Sequence, residues 1–263
     1  MSQNSTDDLY ALFRHQARWR IIDELLSTDP AEGLKRDSCL LKEVTRAKRG
    51  ATVRLWENPQ CLVVPRKATR FPEFESACQQ LAEEGWPVIV RESGGTTVPH
   101  HPGILNFSLF FPQLKQPHFD LDTVYMALCE PLRMAMDRLG LIAEYGETEG
   151  SYCDGRYNLN IEGLKVTGTA QKIMLSPENS KGVTHGVLAQ AMLMVDADAQ
   201  EGTHWVNRFY ELAGNPRRFD PQVSTSLSHL VRQQGLKDIP DDLTLHLRQL
   251  IIQAVKQLAS NNP

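Results

Sequence analysis

The sequence of 263 residues lacks any apolar run approaching the roughly 20 residues that a membrane-spanning helix needs. Its first residues, MSQNSTDDLY, contain neither the basic segment nor the apolar core of a secretory signal. Basic excess is also missing, because 28 Lys and Arg face 32 Asp and Glu, for a formal net charge of −4. Nucleic-acid binding usually relies on clustered positive charge. These absences predict a cytoplasmic protein with neither a membrane nor a nucleic acid as its partner.

Cysteine is scarce and irregularly placed. No CxxC pair occurs, and no group of His, Cys, Asp and Glu has the spacing of metal ligands, so we predict no metal site. An odd number of widely spaced cysteines argues against a disulfide framework and favours a reducing compartment. One of them is therefore available as a working thiol. The five are Cys39, Cys61, Cys78, Cys129 and Cys153.

At 41% hydrophobic and 23% charged residues, the composition is typical of a soluble globular protein. Apolar periodicity predicts an α+β fold with a mixed or antiparallel central sheet and flanking helices. The predicted strands are 53–56, 61–64, 87–90, 104–111, 157–161, 165–174 and 187–195. The predicted helices are 8–27, one that opens at Asp37, 72–84, 120–140, 204–213 and 241–258.

The first segment whose residues suit ligand binding is Arg91-Glu-Ser-Gly-Gly-Thr-Thr97, directly after the short apolar strand 87–90. Adjacent glycines allow the backbone to approach a ligand closely, and successive free N–H groups can hold an anion or a carbonyl oxygen. The segment is neither a GxGxxG fingerprint nor a Walker P-loop. Taken alone, Gly-Gly after a strand is more often a turn than a binding loop.

The second segment is Gly150-Ser-Tyr-Cys-Asp-Gly155, which places Cys153 between glycines in a small-residue loop before a strand. A thiol becomes reactive when it is accessible and has a cation or backbone donors nearby. The other four cysteines sit in apolar or helical contexts and are interpreted as small buried hydrophobic residues. Cys153 is therefore the candidate nucleophile.

The third segment begins with Lys165 at the start of a strand, followed by the small residues Gly168, Thr169 and Ala170. A lysine followed by small residues is unusual where packing alone decides the sequence. The alternative is a solvated lysine after a turn at Glu162-Gly163, which is the commoner situation for lysine.

In this order, the segments resemble the lipoate-protein ligase and lipoyl/octanoyl transferase family. Residues 53–57 match its "LRLW" opening, and residues 91–97 match its "RRxSGG" loop. Residues 103–108 match its "GxLNxS" strand, and residues 165–171 match its "KxxGxAQ" strand. The resemblance covers roughly residues 37 to 235. The GSYC loop is most similar to the branch that moves octanoyl groups between protein lysines, the octanoyl-H protein:protein octanoyltransferases.

The resemblance implies a biotin/lipoate ligase-like catalytic domain over 37–263, mostly helical from about residue 203, after an N-terminal helical extension of residues 1–36. It implies transfer of an octanoyl or lipoyl group in lipoate assembly. The donor would be an acyl H protein or acyl carrier protein, and the acceptor a lysine of a lipoyl domain in a 2-oxoacid dehydrogenase E2 subunit. Cys153 would hold the acyl group as a thioester, and Lys165 would lower the pKa of the thiol. No cofactor would be required.

The implied substrate-binding residues are those of the glycine loop and the two strands that would line an apolar tunnel for the eight-carbon chain. They are Arg91, Ser93, Gly94, Gly95, Thr96, Asn106, Gly168, Thr169 and Ala170. Backbone N–H groups around Gly168 and Thr169 would polarise the acyl carbonyl beside Lys165. His185 is a spare candidate for proton transfer.

Two alternatives remain open from the sequence. In an ATP-dependent lipoate-protein ligase, which would use ATP and Mg, Lys165 would neutralise phosphate and Cys153 would be incidental. In a non-catalytic acyl carrier or sensor, only the acyl pocket would matter. A biotin ligase is disfavoured, because the basic glycine-rich "GRGRxxR" loop of that group is missing.

Overall fold

The computed structural model describes residues 3–24, 28–177, 181–236 and 240–260. Within them the chain forms strands β1 Arg20–Asp23, β2 Thr52–Trp56, β3 Cys61–Pro65, β4 Val88–Arg91, β5 Val98–His100, β6 Ile104–Leu114, β7 Glu144–Tyr145, β8 Leu159–Ile161, β9 Leu164–Leu175 and β10 Val183–Met194. The helices are α1 Gln3–His15, α2 Pro30–Thr45, α3 Phe74–Glu83, α4 Leu121–Asp137, α5 Ala199–Leu212, α6 Leu227–Gln233 and α7 Leu243–Ser260. None of these helices is both long and apolar enough to cross a membrane.

Two sheets organise the described chain. The larger has seven strands in the order β1-β2-β6-β10-β9-β8-β7, and the smaller has three in the order β4-β3-β5. The pairs β1–β2 and β3–β4 are parallel, and the other pairs are antiparallel. The predicted α+β fold with a mixed sheet is therefore confirmed.

The long strands β6 and β10 present different chemistry on their two faces. Side chains such as Phe107 and Leu109 belong to the large hydrophobic core that contains residues of α1, α4 and α7. Because successive side chains of a strand point to opposite faces, Asn106 and Ser108 project the other way. That face is covered by the smaller sheet and by α2, and the polar residues on it line a cavity. The site therefore lies between the two sheets.

Helix α2 is capped at its N-terminus and is held against this face of the sheet by a buried ion pair. The Asp29 side chain caps the helix by accepting from the Ala31 N–H at 2.8 Å. Asp37 accepts hydrogen bonds from the buried Arg54 guanidinium on β2 and from Gln190 at 2.9 Å. Burial raises the pKa of Asp37, and the Arg54 charge opposes that shift. The ion pair therefore links α2 to the centre of the sheet.

The N-terminal region departs from the expected helix over 8–27. Helix α1 ends at His15, and residues 20–23 form β1, which extends the central sheet by pairing Ile21 with Val53 and Ile22 with Arg54. The apolar residues of 8–27 only weakly follow helical spacing, so pairing of residues 20–23 with the buried strand β2 determines their conformation instead. Residues 25–27 of the expected helix lie outside the described residues. The predicted start of the second helix at Asp37 is wrong: α2 begins at Pro30, because Asp29 caps the helix and proline suits its first turn. The division of the chain into two regions at residue 37 stays a prediction.

Besides β1, three short elements were not predicted: β5, β7 and α6. Each is too short for its apolar spacing to establish a period, since β7 has only two residues and β5 three. The expected strands from residue 53 to residue 195 and the four expected helices from residue 72 onward all have counterparts in the structure.

We expect Gly186→Ala to lower the free energy of unfolding by about 1–3 kcal/mol, the usual effect of overpacking. A Cβ at this position of β10 would lie 2.0 Å from Thr45 Oγ1 and 2.9 Å from Thr45 Cα, at the end of α2. Denaturant titration measures the change. Gly50→Ala is the matched control, because a Cβ there meets no atom within 4 Å. Equal stability of the two variants would show that α2 does not pack tightly on β10.

Candidate active site

The site is built around Lys165, whose side chain is 0% exposed on β9. A buried ammonium requires hydrogen-bond acceptors, because desolvation otherwise disfavours its charged form. Lys165 Nζ donates to Ser151 Oγ at 3.4 Å, to the Cys153 carbonyl at 3.0 Å and to the Tyr152 carbonyl. Burial lowers the pKa of Lys165 to about 8, although the charges of Cys153 and Asp154 oppose the shift. The lysine thus remains mostly protonated at neutral pH and holds the cysteine loop by its backbone.

Cys153 itself adopts a left-handed backbone with φ of +50°. This conformation costs a non-glycine residue about 1–3 kcal/mol and persists where the surroundings enforce it. Its N–H donates to Thr96 Oγ1 at 2.6 Å, and its carbonyl accepts from Asn158 Nδ2 at 2.9 Å as well as from Lys165. The glycine loop, β9 and the segment before β8 therefore all hold one residue in place.

The second cation at the thiol is Arg91, at the end of β4. Its Nη2 lies 3.9 Å from Cys153 Sγ and donates to the carbonyls of Gly94 and Thr96, at 2.9 Å each. Gly95 makes this approach possible, because a Cβ there would lie 2.9 Å from Sγ and 2.8 Å from Nη2. With φ at +103°, the position also favours glycine on backbone grounds. The second glycine of the loop thus leaves room for the thiol and the guanidinium to meet.

The electrostatic balance at Cys153 differs from that at Cys61 and Cys78. Burial alone would raise the pKa of Cys153, but Arg91, then Lys165, and a hydrogen bond from the Thr96 backbone hold that pKa below its ordinary value. Burial instead raises the pKa of Cys61 to about 12 and that of Cys78 to about 11. The thiolate of Cys153 is therefore favoured relative to that of an ordinary cysteine.

An inner cavity extends from Cys153 between the two sheets. Its floor follows four residues that are paired directly across four strands: Gly168 on β9, Met192 on β10, Asn106 on β6 and Trp56 on β2. Three strand spacings of about 4.8 Å make the row about 14 Å long. Val63, Val98 and Leu34 are among the apolar residues that also line it. The cavity therefore follows a row about 14 Å long that begins at the thiol and is lined by both apolar and polar side chains.

Trp56 lies at the β2 end of this row and is buried. Helix α2 lies directly behind it, since a Cβ on Gly33 would lie 2.2 Å from Trp56 Cζ3. The Arg54 guanidinium stands 4.4 Å from the centre of the indole ring, and the ring of His100 is 5.8 Å away. Because these neighbours confine the indole ring of Trp56, it forms a rigid wall at the β2 end of the inner cavity.

An outer cleft meets the inner cavity at Cys153, and both are also lined by Thr169 and Ala170. In the cleft, the rings of Tyr125 and Tyr157 stack with centroids 4.9 Å apart. The thiol therefore lies at a junction, with the inner cavity on one side and a cleft to the surface on the other.

The structure brings the predicted residues together around this junction. Those that line the inner cavity are Cys153, Arg91, Asn106, Gly168, Thr169 and Ala170. Gly94 and Gly95 line the outer cleft, Ser93 faces a separate groove beside α2, and Thr96 holds the Cys153 backbone. The predicted roles in substrate binding and catalysis stay predictions.

Two details differ from the expected chemistry. The Thr169 N–H donates to Asn158 Oδ1 at 3.0 Å, so it is engaged within the protein and not free for an acyl carbonyl. His185 is paired with Leu175 and Gln113 at the far end of β10, away from the Gly168 level of the cavity.

Within the described residues, no group of three or more His, Cys, Asp or Glu could hold a metal ion.

Sequence reasoning missed the contacts that depend on long-range packing. It placed Arg91 in the substrate loop but did not predict its approach to the thiol. It gave no role to Asn158, which joins the cysteine loop to β9. It also missed His100 in the cavity wall, where burial lowers its pKa to about 3 and keeps the ring neutral. The only hint was that these polar residues lie in or beside short apolar strands.

Comparisons with known proteins point to a single family. A family model described as the lipoyl protein ligase A/B catalytic domain matches residues 29–258. An octanoyl-GcvH:protein N-octanoyltransferase of Kyrpidia tusciae is 34% identical over 238 residues, which cover 90% of this chain and 81% of that protein. A protein of the same name from Anoxybacillus flavithermus is 32% identical over 229 residues, covering 83% and 79%.

Solved structures are similar in fold. A T. acidophilum protein, described as a lipoate protein ligase and solved with bound lipoic acid, superposes with a TM-score of 0.60 at 16% identity. The match covers 92% of this chain and 86% of that one. At this identity the likeness bears on the fold alone.

We expect Arg91→Gln and Lys165→Met each to raise the pH at which iodoacetamide alkylates Cys153, by about one unit. A cation stabilises the thiolate, so its removal raises the thiol pKa, and Arg91 has the larger influence of the two. Mass spectrometry of the Cys153 peptide across pH measures the midpoint. Cys39, the exposed cysteine on α2, is the internal control. An unchanged Cys153 midpoint in both variants would contradict this electrostatic account.

Proposed function

The chain belongs to the lipoyl protein ligase A/B catalytic domain family, and within it we propose that the protein is an acyltransferase working through a thioester on Cys153. It moves an octanoyl group from a protein-bound donor to the lysine of a lipoyl domain. The observation that carries the proposal is the position of Cys153, with Arg91 and Lys165 beside it and both the acyl-sized cavity and the open cleft within reach. The names of the two relatives support octanoyl as the cargo.

In the first step, the Cys153 thiolate attacks the carbonyl carbon of the octanoyl-lysine amide on the donor. The C–S bond forms, the C–N bond breaks, and the donor lysine leaves as an amine that takes up a proton. The negative charge on the carbonyl oxygen needs a donor in the transition state. Arg91 Nε is suited to this role, because it is buried without a partner among the described residues and Arg91 lines the cavity.

In the second step, the acceptor lysine enters as a neutral amine through the outer cleft and attacks the thioester. The C–N bond forms, the C–S bond breaks, the amine loses a proton, and the thiolate is restored. Splitting amide exchange into two substitutions lowers the barrier of each. Lys165 stays bound to the loop carbonyls and keeps the thiol in position through both steps.

Substrate selection follows from the same geometry. Each CH₂ buried in the inner cavity contributes about 0.8 kcal/mol, so an octanoyl chain that fills the row is favoured over shorter ones. An H protein or acyl carrier protein is the donor and an E2 lipoyl domain the acceptor, in the cytoplasm and without a cofactor. These assignments are part of the proposal.

We expect incubation with octanoylated H protein, in the absence of nucleotide, to add the mass of one octanoyl group to the wild-type enzyme at Cys153. An apo lipoyl domain added next should receive that group. Cys153→Ala should abolish both events, since no other thiol is held by Arg91 and Lys165 among the described residues. Intact-protein mass spectrometry reads every species.

If the protein were an ATP-dependent ligase, the same samples would give the opposite result. Modification of the lipoyl domain would require ATP and a free fatty acid, and it would survive Cys153→Ala. That pattern would contradict the thioester mechanism. Circular dichroism of the variant controls for its fold.

The chain-length preference tests the inner cavity separately. We expect Trp56→Val to shift the preference toward longer acyl chains, because it opens the end of the row. Gly33→Ala should shift it toward shorter chains, since its Cβ would push the indole into the cavity. Competition between hexanoyl, octanoyl and decanoyl donors measures both shifts. An unchanged preference in both variants would show that the acyl chain lies elsewhere.

A further inference from the structure

Strand β9 has a free edge over its last residues, from Ile173 to Leu175. Strand β8 pairs with β9 only as far as Thr167, whereas β10 pairs with β9 as far as Leu175 on the other side. The Thr169 N–H points away from β10, toward Asn158. Because alternate N–H groups of a strand point the same way, those of Ile173 and Leu175 also point outward. Within the described chain, no backbone group pairs with Ile173 or Leu175 on that side.

The same edge carries exposed apolar side chains. Ile173 is 48% exposed, Leu175 is 76% exposed, and Leu121 at the start of α4 is 53% exposed. Leu121 lies beside the strand, since its carbonyl accepts from Gln171 Nε2 at 2.9 Å. A free strand edge with large apolar side chains readily pairs with another chain.

This edge is continuous with the reaction site. Leu121 and Gln171 line the outer cleft into which Cys153 opens. A lysine side chain is short, so a domain whose lysine reaches Cys153 must contact the protein immediately around that cleft. The apolar edge lies where such a domain would rest.

We propose that the edge of β9 from Ile173 to Leu175, together with Leu121, is the docking surface for the lysine-bearing acceptor domain. A strand of that domain pairs with this edge and extends the central sheet. The proposal rests on the proposed function. Main-chain hydrogen bonds to the outward N–H and C=O groups supply affinity, and the apolar side chains supply contact area. The acceptor domain is the occupant, because the edge borders the cleft that its lysine must enter.

The test separates docking from chemistry by using two acyl acceptors on the same enzyme. Cys153 is first acylated with an octanoyl thioester of a small thiol, and the octanoyl group is then chased to an apo E2 lipoyl domain. Ile173→Pro removes one outward N–H, a change that edge strands tolerate, and Ile173→Lys removes apolar surface while keeping the N–H. Leu245→Lys on α7 is the matched control, since Leu245 is also 48% exposed.

Both Ile173 variants should acylate Cys153 at the wild-type rate and transfer to the lipoyl domain about tenfold more slowly at sub-saturating concentration, the effect of losing one interface anchor. Leu245→Lys should transfer at the wild-type rate. In Cys153→Ser enzyme, the lipoyl domain should slow hydrogen exchange of the amides from 171 to 175.

Wild-type transfer rates in both Ile173 variants would overturn the docking surface while leaving the thioester mechanism intact. A second copy of this chain on the edge would also overturn it, and sedimentation would reveal this as a dimer that Ile173→Lys dissociates. Absence of acyl-Cys153 in the wild-type enzyme would instead overturn the proposed function itself.

Discussion

The ammonium of Lys165, fully buried beneath the Cys153 loop, is the group on which the geometry of the site depends. It carries a positive charge away from water and is stabilised by two backbone carbonyls and one hydroxyl, all from residues 151–153. The dependence is mutual. Without the lysine, the Tyr152 carbonyl would lose its donor and the Cys153 carbonyl would keep only Asn158, and without the loop the lysine would be an uncompensated charge. Lys165 therefore holds the backbone of residues 151–153 in place, and this backbone sets the direction in which the Cys153 side chain points.

Two cations are needed because the thiol lies in a partly apolar cavity. Desolvation would raise the pKa of Cys153, as it does for Cys61, unless nearby positive charge outweighs it. The Arg91 guanidinium contacts the sulfur directly, and the Lys165 ammonium, bound to the loop carbonyls, adds a second positive charge that lowers the thiol pKa. This explains the glycine at position 95, because a Cβ there would collide with both the Arg91 guanidinium and the Cys153 sulfur.

The sequence predicts those parts of the site that are local in the chain. The Gly-Gly turn after a strand, the cysteine between glycines and the lysine at a strand start are visible in short windows, and their order carried the family resemblance. Strand register is not visible in this way. That Trp56, Asn106, Met192 and Gly168 form one row depends on four strands paired over more than 130 residues of sequence. The approach of Arg91 to Cys153, and the strand at residues 20–23, depend on equally remote partners.

In the proposed mechanism, the Cys153 thiol between the cavity and the cleft carries the acyl group from the donor to the acceptor. The most direct test is a single-turnover chase from isolated octanoyl-Cys153 enzyme, mixed rapidly with excess apo lipoyl domain and no nucleotide. The account predicts that octanoyl leaves Cys153 and appears on the lipoyl lysine at one common rate, at least as fast as steady-state turnover. Transfer slower than turnover, or loss of the group to water without modification of the lysine, would contradict it.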